Sequence, residues 1–333
     1  MRRARIVDGR FTVSPRGFNY DHDEAGRLIE DYWASEWPKV DAAFRDMKAL
    51  GATVVRVHLQ FGKFMETARL PRRSELEHLS RLLELSERTG LYLDLTGLGC
   101  YHRKDVPDWY DGLSEEDRWA AQARFWEAVA GTCARSPAIF CYDLMNEPVV
   151  PVGKGRPSDW LGPAFGGKHF VQRISLDDAG RPRHEIARLW IRTLVAAIRK
   201  VDRDHLITVG LVDWSLDRKG VLYSGFDPAA IAPEVDYLSI HLYPEATKGD
   251  AAIEKLEAFR AAGKPVVIEE TFPLSCGIEE FREFLKRTRG RAAGLIGFYW
   301  GRTLDECRKG TGLADAIMVQ WLELFRRYAD EQE

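Results

Sequence analysis

Short aliphatic runs and longer stretches of helical periodicity alternate eight times along this chain. Few architectures accept that pattern. Strands separated by helix-length segments pair in parallel, because each connection must carry the chain back to the same edge. The strand-like runs are 15–20, 53–59, 91–96, 138–145, 205–212, 235–243, 265–268 and 294–300. Helices are expected over 38–50, 74–89, 115–134, 184–201, 228–231, 250–262 and 278–289, with a last one ending near Tyr328. Local signals agree. Pro38 suits a first helical turn, and Val40, Phe44 and Met47 recur at helical spacing. Ser114 stands where a helix cap belongs, with Asp117 three residues on. Eight strand–helix units in 333 residues predict an α/β fold, a closed (β/α)8 TIM barrel forming one domain over 1–333. A doubly wound open sheet is the rival. It usually has fewer strands, and no GxGxxG or Walker sequence marks a nucleotide crevice.

Alternation within strands predicts which side chains enter the lumen. Val55, Val57 and Leu59 share one face of the second strand, and Val54, Arg56 and His58 the other. The third strand sets Leu91, Leu93 and Leu95 against Tyr92, Asp94 and Thr96. The sixth sets Leu238, Ile240 and Leu242 against Tyr237, Ser239, His241 and Tyr243. The aliphatic faces belong under the helices, so the polar faces look inward and grow more polar toward the strands' C-terminal ends. A barrel of this kind carries its site at that end.

Two of those ends carry carboxylic acids. Asn146-Glu147-Pro148 closes the fourth strand and Glu269-Glu270 the seventh. Acid-assisted cleavage of a glycosidic bond requires such a pair. One acid is protonated to donate to the leaving oxygen, and one is ionised to attack or to activate water. Taken alone, Glu147 also reads as a helix-start carboxylate. Periodicity does not choose between Glu269 and Glu270, because Val266 and Ile268 flank one and Val267 the other. The long irregular stretch 149–183, rich in Gly and Pro and carrying Trp160, Phe165, Lys168 and His169, follows the fourth strand directly. It reads as an insertion that walls a sugar subsite, or equally as an insertion without ligand contact. The Trp-bearing stretches at Trp33, Trp37, Trp109 and Trp214 are expected at the same mouth.

Composition narrows the partners. A net charge of −3, from 48 basic and 51 acidic residues, gives no electrostatic case for nucleic acid. No stretch reaches membrane-spanning length, so no membrane partner is expected. Met1-Arg-Arg-Ala-Arg has the charge of a signal peptide without an apolar run behind it. The expectation is a cytoplasmic protein, or a secreted one if a leader has been removed. Five cysteines without CxxC spacing and eight histidines without HExxH predict neither a disulfide framework, nor a metal, nor a cofactor.

Together, Arg56, Asn146-Glu147-Pro148, His241-Leu242-Tyr243-Pro244, Glu270 and Trp300-Gly301 resemble the retaining (β/α)8 glycoside hydrolases, most closely family 5, the cellulase and mannanase family. The resemblance implies that Glu147 is the acid/base and Glu270 the nucleophile. It implies that Asn146 binds the sugar 2-hydroxyl and that Arg56 and Tyr243 hold Glu270. His241 would line the acid/base side, and Trp300 would floor the sugar site. Glu269 would then be a supporting or rim group. The third strand departs from the family, with Thr96 where a histidine is usual and Tyr101-His102 nearby as a substitute. The implied activity is retaining hydrolysis of β-linked glucosidic or mannosidic bonds in an oligosaccharide or glycoside by double displacement. A transglycosidase using the same intermediate and a non-catalytic carbohydrate-binding barrel are the alternatives.

Overall fold

The computed structural model describes residues 1–217 and 223–331. Eight parallel strands close a barrel in chain order: β1 Arg16–Tyr20, β2 Val54–Gln60, β3 Tyr92–Gly99, β4 Ile139–Asn146, β5 Leu206–Val212, β6 Leu238–His241, β7 Val266–Glu270 and β8 Gly294–Trp300. The helices that carry the chain back are α1 Trp37–Ala49, α2 Arg73–Thr89, α3 Glu115–Cys133, α4 Arg183–Val201, α5 Pro228–Ile231, α6 Gly249–Arg260, α7 Ile278–Thr288 and α8 Leu313–Asp330. Each has a local reason. In α1, Pro38 occupies the first turn and Val40, Ala43, Phe44 and Met47 form one buried face. In α3, the Ser114 hydroxyl accepts from the Asp117 amide at 3.1 Å. No helix among the described residues is long and apolar enough to cross a membrane.

The inside-out reading of the strands holds. Val55, Val57, Leu59, Leu93, Leu95, Leu238 and Ile240 pack outward in the core beneath the helices. Inside the lumen, the N-terminal end is a separate apolar layer containing Val54, Phe140, Tyr237, Val267 and Ile296. A two-stranded ribbon, Ile6–Val7 against Arg10–Phe11, plugs that end. Phe11 rests on Phe140 and Tyr237, with ring centroids 5.3 and 5.1 Å away. Sequence periodicity did not predict this ribbon. Its signal was the dipeptide Asp8-Gly9, whose φ angles of 50° and 72° fit the two-residue turn that such a pair favours.

Strand six is shorter than expected, Leu238–His241 rather than 235–243. Two register shifts matter for the site. Opposite β6, Ile240 pairs with Ile268 but His241 pairs with Glu270, so β7 carries an extra residue there. Opposite β1, β8 slips between Gly297 and Trp300.

Candidate active site

A cleft of about 380 Å³ opens at the C-terminal ends of the strands. Asn146, Glu147, Tyr243 and Glu270 line it, together with Asp21 and His22 after β1 and Phe298 of β8. Pro163, Phe165, Lys168, Phe170 and Val171 complete the wall from the segment between β4 and α4. That segment therefore borders the cleft. It is tied down by Arg181, which pairs with Glu115 of α3 at 2.9 Å, and by the Trp119 indole, which donates to the Ile174 carbonyl at 2.7 Å.

Arg56 is the hub beneath the cleft. It is fully buried, and its guanidinium donates to Glu270 Oε1 at 2.5 Å, Asn19 Oδ1 and Asp143 Oδ2 at 2.7 Å each, and Asn146 Oδ1 at 3.0 Å. Burial opposes its charge, but Glu269, Asp143 and Glu270 more than offset that and hold it charged. Space for the hub comes from Gly210 of β5. A β-carbon there would lie 2.9 Å from His241 Nε2 and 3.0 Å from Arg56 Nη2.

The Tyr243 hydroxyl donates to the second oxygen of Glu270 at 2.8 Å. Burial and the neighbouring Glu270 charge push that phenol well above its ordinary pKa, so it keeps its proton. Glu270 is thus held at both oxygens. His241 Nδ1 donates to Glu147 Oε1 at 2.9 Å and lies 3.4 Å from Glu270 Oε2. Burial would lower the pKa of this imidazole, but Glu270, Glu147 and Glu269 around it raise it to about 10. A charged histidine therefore bridges the two glutamates. Oxygens of Glu147 and Glu270 and a His241 nitrogen all lie within 4.8 Å of one another. Carboxyl groups about 5–5.5 Å apart suit double displacement, and about 6.5–9.5 Å suits inversion. Glu147 reaches this position by leaving the strand with φ of 49°, in the left-handed region that costs a non-glycine residue about 1–3 kcal/mol. Its amide is anchored on the Gly210 carbonyl at 3.0 Å.

Glu269 is no rim group. The extra residue in β7 lets both adjacent glutamates face the lumen, with Glu269 fully buried one layer below, 3.8 Å from Arg56 and 3.7 Å from His241. Asp94 faces it, and burial and the Glu269 charge push Asp94 well above the carboxylate range.

Several expected residues stand elsewhere. Trp300 is 1% exposed and packs on Phe18 at 5.6 Å beneath the helices. Strict alternation would put it inside with Ile296. The slip in β8 turns it outward and leaves Phe298 lining the cleft. Thr96 donates to Asp143 at 2.8 Å, below the cleft. The Tyr101 hydroxyl donates to His58 Nδ1 at 2.5 Å, and neither Tyr101 nor His102 lines the cleft. Trp33, Trp37, Trp109, Trp160 and Trp214 are also absent from its lining. Asp143 is not among the residues expected from the sequence, although it is polar at an inward position of β4. It accepts from Arg56, Thr96 and the Gly210 amide.

Residues 12–272 match the family described as Cellulase (glycosyl hydrolase family 5). The mannan endo-1,4-β-mannosidase A of Emericella nidulans is 27% identical over 255 residues, covering 69% of this chain and 57% of the relative. The chain thus spans little more than half of that relative's length. Among solved structures, an exo-β-1,4-mannosidase from Opitutaceae bacterium strain TAV5 superposes with a TM-score of 0.73 at 17% identity, covering 98% of this chain and 61% of the other. The endo-1,4-β-mannanase from Rhizomucor miehei superposes with a TM-score of 0.65 at 19% identity, covering 99% of each. These likenesses establish the barrel fold.

Proposed function

This chain belongs to glycosyl hydrolase family 5, and we propose that it hydrolyses β-mannosidic bonds with retention. The observation that carries this reading is that an oxygen of Glu147 and one of Glu270 lie within 4.8 Å of each other beside a charged His241. Glu270 is the nucleophile. Arg56 and Tyr243 occupy both its oxygens, which orients the carboxylate for attack. It attacks the anomeric carbon as Glu147 protonates the leaving oxygen, giving a covalent glycosyl-enzyme. Glu147 then takes a proton from water, which attacks the same carbon and releases Glu270. Asn146, held by Arg56 and by the Phe170 carbonyl, stands beside this pair to meet the sugar 2-hydroxyl. Phe298 takes the place at the cleft expected of Trp300.

The mannose preference is drawn from the relatives, which are mannan endo-1,4-β-mannosidases or probable ones. The test is labelling with activated 2-deoxy-2-fluoro mannosides and glucosides, followed by peptide mass mapping. A label on Glu270 from the manno reagent supports the whole reading. A label from the gluco reagent alone corrects the sugar, and a label on Glu269 corrects the nucleophile. No label from either reagent sinks the retaining mechanism.

A further inference from the structure

Two polar groups in the cleft wall take no part in the chemistry above. Asp21, after β1, is 2% exposed. Its Oδ2 accepts from His22 Nδ1 at 2.9 Å, and its Oδ1 is buried with no partner. His22 is fixed in turn by stacking on Tyr299, with ring centroids 4.9 Å apart and planes at 16°. Lys168 arises from the segment after β4 and is 6% exposed. Among the described residues its ammonium has no hydrogen bond and no ion pair. Lys168 also sits in a built feature. It pairs with Phe165 across a two-residue turn, with backbone bonds of 2.8 and 3.0 Å, and the turn residues Gly166 and Gly167 have φ of 56° and 81°. Those angles belong to the hairpin turn that glycines favour. The tip therefore holds the Phe165 ring, 75% exposed, beside a sheltered ammonium.

A buried carboxylate oxygen without a partner is costly in a folded protein, and the Lys168 ammonium has donors free for a ligand. Here the two have opposite sign, line one cleft, and are not within ion-pair distance of each other. We propose that Asp21 and Lys168 are specificity-determining residues that together hold one neutral sugar residue of the substrate, Asp21 accepting from its hydroxyls and Lys168 donating to them. A hydroxyl both donates and accepts, so a neutral polyol satisfies both groups at once. A uronate would satisfy Lys168 but set its carboxylate against Asp21 and Glu270. The Phe165 ring offers the apolar face of a sugar a surface at the mouth. This inference rests on the glycosidase reading for the location of the substrate.

The test is calorimetric binding on a Glu147→Gln background, which slows turnover, with β-1,4-mannotriose, cellotriose and a β-1,4-mannuronate trisaccharide as probes. Added to that background, Asp21→Asn and Lys168→Met preserve shape and stem, and thermal melts establish that each folds. Binding of a neutral probe, weakened about tenfold or more by each substitution, is the expected result. Unchanged affinity in both folded variants overturns the proposal. So does preference for the mannuronate, or no binding of any probe. Neutral binding that depends on both residues, in a protein whose wild type cleaves neither neutral probe, would keep this inference and reject the hydrolase reading.

Discussion

Along β6, Tyr237 just before the strand gives way to Ser239 and then His241, and along β7 Val267 gives way to Glu269. The first of each series lies in the sealed apolar layer at the N-terminal end of the lumen, and the last lies in the charged layer beneath the cleft. Both layers sit on the same inward face of the same strands. The lower one is stabilised by burial of aromatic and aliphatic surface closed off by Phe11. In the upper one Arg56 and His241 compensate Asp143, Glu269 and Glu270 at close range, an arrangement that is costly to disturb and adds little by itself to stability. Depth along the barrel axis therefore separates what keeps this protein folded from what it does.

Substitutions at the two depths should separate stability from activity. The largest effect is expected at Glu270→Gln, which removes the proposed covalent intermediate. Neither turnover nor fluoroglycoside labelling should remain in the folded fraction, and the melting temperature should also fall because Arg56 and His241 lose a buried partner. At Glu147→Gln, kcat/KM for substrates with poor leaving groups should fall on the order of 10²–10⁴. The loss should be much smaller in the first step with an activated aryl glycoside, and equal losses would count against Glu147 as the acid. Next comes a matched pair. Arg56→Met strands buried carboxylates and should cost about 3–5 kcal/mol in denaturant titrations, together with activity. Phe140→Ala should cost about the same through its cavity. In that variant the folded fraction should keep its kcat/KM, and a lost activity would break the division by depth.

His241 sharpens the comparison through pH. Its folded pKa of about 10 lies above the ordinary 6.5. The stability it contributes is therefore fully present below about 6.5 and lost as pH rises through 10. The difference in denaturant midpoint between wild type and His241→Gln should narrow over that window, and a widening gap would contradict a charged His241. The smallest effect is expected in the lower layer. Tyr237→Phe loses a hydroxyl contact to Cys141 Sγ at 3.1 Å and should cost about 1 kcal/mol or less with activity intact.

Much of this is legible in the sequence. Hydrophobic period gave the eight units, and period two gave the inward placement of Arg56, Asp94, Ser239 and His241. Those are local properties, since a strand's alternation is set by its own backbone. The motif residues Glu147 and Glu270 were legible as residue types in a pattern, and the structure brings them together.

Where local period broke, sequence reading broke with it. The additional residue in β7 turned Glu269 and Glu270 to the same side, and the slip in β8 exchanged Trp300 for Phe298 at the cleft. A bulge is a relation between two strands, so neither strand's own sequence records it. The centrality of His241, the carboxylate pair of Asp94 and Glu269, and the placing of Asp21 and Lys168 in one cleft are likewise products of distant segments meeting. The sequence by itself determined the barrel, its polarity and the acids at its mouth, because those follow from local periodicity and residue chemistry. Only the tertiary structure decided which side chains share the cleft and which charges answer one another. Distances between groups far apart in the chain are fixed by register and closure, which no single stretch of sequence contains.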